Sequence, residues 1–123
     1  MTEIFGTLGA SEPLPIWDGL LARAIFGEAS TLAVIELDPN VAVPEHSHAN
    51  EQLGVLATGE MTFTIGGETK TLGPGGSWRI LAHVPHSVVA GPDGAVAIES
   101  FAPARDDWGK LEPIAPRPPH WPK

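Results

Sequence analysis

Glycine and proline recur in tight groups along this chain, and that rhythm limits the fold more than any other feature. Gly66-Gly67, Gly73-Pro74-Gly75-Gly76 and Gly91-Pro92-Asp93-Gly94 each mark a turn where a regular element is interrupted. With 14 Gly and 13 Pro among 123 residues, no window keeps a long helical period. The intervening segments are short and rich in β-branched or alternating residues. Leu20–Phe26 and Thr31–Leu37 flank Gly27-Glu28-Ala29-Ser30, a hairpin loop. Asp38-Pro39-Asn40 is a turn. Residues 53–57 and 61–65 read as two strands on either side of Gly59-Glu60. Gly66-Gly67 is a strong two-residue hairpin signal, and Glu68–Leu72 returns from it. Residues 77–81, 86–90 and 95–101 complete the set, the last two separated by the 91–94 turn. This spacing predicts an all-β sandwich or barrel. Residues 105–111 could form one helical turn. Residues 1–15 read as an irregular lead-in or an edge strand, and 113–123, with Pro at five positions, as an extended tail.

The length fits one domain, and a hydrophobic share of 42% argues against disorder. The expected organisation is a lead-in over 1–19, a barrel over 20–107 and a Pro-rich tail over 108–123. Seven basic against 15 acidic residues give a net charge of −8. That argues against nucleic acid or an anionic membrane as partner, since both need a positive footprint. It leaves room for a small anionic substrate. The chain has no Cys and no Tyr. Disulfides, thiolate nucleophiles, iron–sulfur clusters, Cys-bound zinc and tyrosyl acids are thereby excluded. Transferable protons fall to His, Asp and Glu. No apolar run approaches the roughly 20 residues that span a bilayer. The start, MTEIFGTLGASEP, has no basic or apolar leader pattern, so the expected location is cytoplasmic.

The chemically richest stretch is Pro44-Glu45-His46-Ser47-His48-Ala49-Asn50-Glu51-Gln52. Residues i and i+2 of a strand share a face, so His46 and His48 can aim at one point. Gln52 adds an amide oxygen four residues on, and His86 lies downstream in a strand-like setting. Three imidazoles and one such oxygen suit a divalent transition metal, with Zn, Ni, Fe and Mn as candidates, better than Ca or Mg. A lone His-x-His could equally sit on a solvated strand edge.

The wider pattern resembles the cupin family. Its first motif places Gly, five residues, His-x-His, three or four residues, Glu, six residues and Gly. Asn40, His46, His48, Gln52 and Gly59 fill that spacing here. Asn replaces the first Gly, which is tolerable because Asn also visits left-handed backbone. Gln replaces the Glu ligand, making the site less negative. In the second motif Gly75 and His86 match, while Leu81, His83 and Ala90 stand where Pro, Gly and Asn are usual. The resemblance implies a double-stranded β-helix, or jelly-roll barrel, with a metal held by His46, His48, Gln52 and His86. His83 could add a ligand or a proton shuttle, or line the pocket mouth or the surface. His120 reads as a tail residue.

Residues 95–101 alternate, with Ala97, Glu99 and Phe101 on one face and Val96, Ile98 and Ser100 on the other. If the first face turns inward, Glu99 looks into the cavity and burial raises its pKa toward acid/base use. If the second does, Glu99 is a surface carboxylate. Arg105 could clamp a substrate carboxylate, or pair with Asp106, Asp107 or Glu99. The run Glu-x-Phe-x-Pro-x-Arg-x-Asp from Glu99 to Asp107 is similar to that of the pectin-degradation cupins of the KdgF type. That resemblance implies conversion of 4,5-unsaturated monouronates to linear keto forms. It puts the acid/base on Glu99, a pocket aromatic on Phe101 and a carboxylate-binding Arg on Arg105. Oxygen-dependent chemistry on Fe or Mn, a cyclase or lyase, and a non-catalytic small-molecule binder are the alternatives. Trp17 and Trp78 read as core or pocket aromatics. A homodimer is expected, with the lead-in and the Trp108 and Trp121 regions as candidate contacts.

Overall fold

A computed structural model describes residues 3–122. Eight strands carry the fold: β1 (Leu14–Trp17), β2 (Leu20–Phe26), β3 (Thr31–Leu37), β4 (Ala42–His46), β5 (Glu51–Ile65), β6 (Glu68–Leu72), β7 (Ser77–Ile80) and β8 (His86–Ala102). Two single 3-10 turns, Leu8–Ala10 and Trp108–Lys110, are the helical elements among the described residues. No helix in this range is long and apolar enough to cross a membrane.

All pairings are antiparallel, and β5 and β8 each serve two layers. The second half of β8 lies between β3 and the first half of β5: Ala97 pairs with Ile35 on one side and Leu56 on the other. The first half of β8 lies between β4 and the end of β5: Val88 pairs with Val43 and with Phe63. β2 and β1 extend the first layer beyond β3, while β7 and β6 attach to the two halves of β5. Two layers joined by long bent strands make the jelly roll that the family resemblance implies.

The expected breaks at Gly59-Glu60 and 91–94 are bends instead of ends. Register shifts between Leu56 and Met61, opposite a stretch of β8 with no ladder partner. Gly59 and Gly94 both have left-handed φ, 85° and 78°, and they meet: a Cβ on Gly59 would lie 2.1 Å from the Gly94 carbonyl oxygen. Turn residues placed opposite each other let both strands fold over together without losing continuity. Asn40 takes φ 61°, the left-handed conformation expected of its place in the motif.

Inward residues such as Ala33, Ile35, Leu56, Ile80 and Ala97 form the core between the layers. Among the described residues, Leu8 and His120 bring the segments before β1 and after β8 against Arg23 of β2 and Glu36 of β3. Ile114 N donates to Pro13 O at 2.9 Å, and His120 N to Glu36 Oε2 at 2.9 Å.

Candidate metal centre

β4 delivers His46 at its last residue and β8 delivers His86 at its first, and the two are register partners. His48 stands in the short link to β5, and Gln52 is the second residue of β5. The ligand atoms of His46, His48 and His86 all lie within 4.8 Å of one another. They meet at one end of a cavity of about 350 Å³ between the layers.

Each ring is set by its own backbone. His46 Nδ1 lies 2.8 Å from Pro44 O, His48 Nδ1 2.8 Å from Asn50 O, and His86 Nδ1 2.9 Å from Val84 O. A carbonyl only accepts, so every Nδ1 carries the proton and donates it. The three Nε2 atoms are left as lone-pair donors to a metal. His86 Nε2 is buried with no hydrogen-bond partner among the described residues. His48 Nε2 lies 3.1 Å from Gln52 Oε1. In this tautomer both are acceptors, an arrangement that repels unless a cation lies between them. Burial pushes His86 down to about 4 and His48 below its ordinary value, with Arg105 adding to the latter. Both therefore stay neutral and able to ligate near pH 7. The donor set fits a divalent transition metal ion.

Glu99 lies behind Gln52. Its side faces inward with Ala97 and Phe101, which settles the alternation of β8. Glu99 Oε2 accepts from Gln52 Nε2 and, at 2.8 Å, from Trp78 Nε1. Burial raises its carboxyl above the usual range, opposed by these two donors and by Arg105. Among the described residues Oε1 takes no protein hydrogen bond, and Glu99 lines the cavity.

Arg105 closes one side. Its guanidinium lies 4.9 Å from the Phe101 ring centre and 4.5 Å from that of Trp108. It donates to both oxygens of Asp107, at 3.0 and 2.9 Å. This bond holds the Asp107 carboxyl below its ordinary range. The loop is pinned where Arg105 N donates to the buried Thr31 hydroxyl and where Asn50 Nδ2 donates to Pro103 O. Arg105 thus lines the cavity while paired to Asp107, one of the acidic partners expected for it.

Two expected pocket residues lie elsewhere. His83 is exposed and outside the cavity lining; its φ of 66° lets its N–H reach His48 O at 2.8 Å. Trp78 is in the core, stacked 4.6 Å from Phe63, and reaches the site through Glu99. Phe101 does line the cavity. Trp108, expected at a surface contact, is 3% exposed and supports Arg105. Trp17 stands beside His46, ring centres 5.3 Å apart. Asp107 and Trp108 were legible only as neighbours of Arg105, two and three residues on; nothing in the sequence ties Trp17 to His46.

Residues 33–99 match the cupin domain, more than half of the chain, so this protein belongs to the cupin family. Among characterised relatives, the pectin degradation protein KdgF of Dickeya dadantii (strain 3937) is 28% identical over 68 residues. That match covers 55% of this chain and 62% of the relative, less than two thirds of its length. An RmlC-like cupin from Shewanella frigidimarina superposes with a TM-score of 0.80 at 29% identity, covering 86% of this chain and 96% of its own. KdgF from Halomonas sp. superposes with a TM-score of 0.78, covering 86% and 98%; at 22% identity this likeness is one of fold.

Proposed function

We propose that this cupin is a metal-dependent enzyme that ketonises and linearises 4,5-unsaturated monouronates. The observation that carries the reading is the joint aim of three Nε2 lone pairs and Gln52 Oε1 at one point, with Arg105 and Glu99 lining the same cavity. The name of the Dickeya relative supports pectin-derived sugars as the substrate class. A Zn, Ni, Fe or Mn ion held by His46, His48, His86 and Gln52 would supply Lewis acidity toward substrate oxygens.

The chain's own residues do the rest. Arg105 binds the uronate carboxylate, the aromatic rings of Phe101 and Trp108 holding its guanidinium flat. Glu99, through Oε1, moves a proton. The anomeric hydroxyl loses its proton as the ring carbon–oxygen bond opens to an aldehyde. The enol set free takes a proton on the neighbouring carbon and becomes the ketone. No atoms are gained or lost, and no oxidant is consumed. Leu37, Val43, Met61 and Phe63 give the cavity an apolar wall, so the substrate carboxylate is drawn to the cationic Arg105 instead.

Self-association belongs to the same reading. Ile25, Leu32 and Leu53 lie exposed in one cross-strand row through Ser100, a face suited to a homodimer. Light scattering checks the mass.

The test is to load purified protein with each candidate metal and add an unsaturated monogalacturonate. Loss of the conjugated double-bond absorbance, with an aldehyde appearing by NMR, is expected with and without oxygen. Turnover only in oxygen would favour an oxygenase. Tight binding without turnover would favour a non-catalytic binder.

A further inference from the structure

We propose that Glu99 is a positioning residue for the metal site: its Oε2 decides which end of the Gln52 amide faces the three imidazoles. The inference rests on the metal reading above and adds to the proton-transfer role of Oε1.

An amide has an oxygen end and a nitrogen end of nearly the same shape, and only its partners decide which way it points. At position 52 the choice matters, because the oxygen can ligate a metal and the NH2 group cannot. Glu99 makes the choice from behind. Its Oε2 receives the Gln52 amide nitrogen and the Trp78 indole N–H. Indole is a donor only, so Trp78 marks Oε2 as an acceptor, and the Gln52 atom facing it is the N–H end.

The sheet holds this arrangement rigidly. Gly54 pairs with Trp78 on β7 and with Glu99 on β8, so the three form one cross-strand row, and Gln52 is two residues along on the same face. Gly54 is required there. A Cβ would lie 2.3 Å from Trp78 Nε1, inside the ring that must cross the strand to reach Glu99. Phe63 packs against that ring, the two ring centres 4.6 Å apart. The consequence concerns the motif itself. Position 52, where the resembled motif has a carboxylate, holds a neutral amide, and a carboxylate stands directly behind it at position 99. A Glu at 52 would set two acceptors against each other.

Metal affinity separates positioning from catalysis. Zn²⁺ and Ni²⁺ are titrated into metal-free wild-type, Glu99→Leu and Glu99→Gln proteins against a competing chelator, with circular dichroism as the folding check. Glu99→Leu removes the acceptor, and its affinity should fall about 10- to 100-fold. Glu99→Gln keeps an oxygen for the same two donors, so it should bind metal nearly as wild type while losing uronate turnover. Wild-type affinity in Glu99→Leu overturns the inference, as does an equal loss in both variants, which would make charge the cause. Gln52 is the only Gln in the chain, so its side-chain NH2 is directly assignable by ¹⁵N NMR. These protons should be protected from solvent exchange in wild-type protein even without metal; free exchange would overturn the inference even if Glu99→Leu does not fold. Failure of the wild-type protein to take any metal would be a failure of the metal reading, and this inference would fall with it.

Discussion

Two groups of polar side chains, one on the outer side of β2 and β3 and one in the cavity between the layers, are built on different principles. On the outer face, Arg23 and Glu36 form an ion pair at 3.3 Å with side chains 0% and 3% exposed. The chain ends roof it: Arg23 Nη1 donates to Leu8 O at 3.2 Å, and His120 N donates to Glu36 Oε2. One donor, Arg23 Nη2, and one acceptor, Glu36 Oε1, remain unpartnered. The other contacts match donor to acceptor, and opposite charges offset each other. In the cavity, the groups gathered at the histidine cluster are of one kind. Three Nε2 atoms and one amide oxygen converge as acceptors, with no donor to them among the described residues. The outer pair is balanced in charge, with one donor and one acceptor left over, whereas the groups at the histidine cluster are left with an excess of acceptors.

The sharpest way to break this comparison is Arg23→Met. It leaves Glu36 buried without its counter-charge and should cost about 3–5 kcal/mol in chemical denaturation. Metal uptake should be unchanged. Adding Glu36→Leu should restore most of the loss, because the pair serves packing and no ligand.

The mirror experiment is His86→Ala. It should lower metal affinity by about 100-fold or more, roughly 2.7 kcal/mol of metal-linked stability, while the metal-free protein stays folded. Elemental analysis and melting with and without chelator measure both. The pH response sharpens the contrast. The unfolded His takes its proton near 6.5, the folded one only near 4. The unfolded state therefore binds more protons between these values. The metal-free wild-type protein should lose this contribution as pH falls from about 6.5 toward 4, and His86→Ala should remove that part of the slope.

A smaller effect is expected from ending the chain after Pro118. This removes the His120 N–H from Glu36 and should cost about 1–3 kcal/mol, with the metal site intact. The smallest belongs to Asp107→Asn. The Arg105–Asp107 pair is exposed on the Asp side, 65%, so stability should change by less than about 1 kcal/mol. Because the Asp107 carboxyl is held low, its contribution is present above the unfolded value and fades as pH falls through the folded one. The variant should flatten that acid limb and should strengthen binding of a uronate carboxylate to the freed guanidinium.

Much of the fold was legible because its signals are local. Leu20–Phe26, Thr31–Leu37 and Glu68–Leu72 coincide with β2, β3 and β6, since alternation and turn chemistry act within a few residues. The joining of residues 53–57 with 61–65, and of 86–90 with 95–101, was not legible. A glycine that bends a strand and one that ends it look alike until the opposite strand is in place. For the same reason Trp108, three residues beyond Arg105, read as a surface contact, although it closes over the guanidinium.

By itself the sequence determined a chain of short β segments, a His-x-His-x-x-x-Gln stretch with a third histidine, His86, far along the chain, and a choice of two faces for Glu99. Tertiary structure decided which face turned inward, that Asp107 holds the guanidinium of Arg105, and that the Gln52 amide is held from behind by a carboxylate 47 residues away. The physical reason is range. Turn preference and strand alternation are properties of neighbouring residues, whereas the direction of an amide or the freedom of a lone pair depends on which strand the sheet lays beside it.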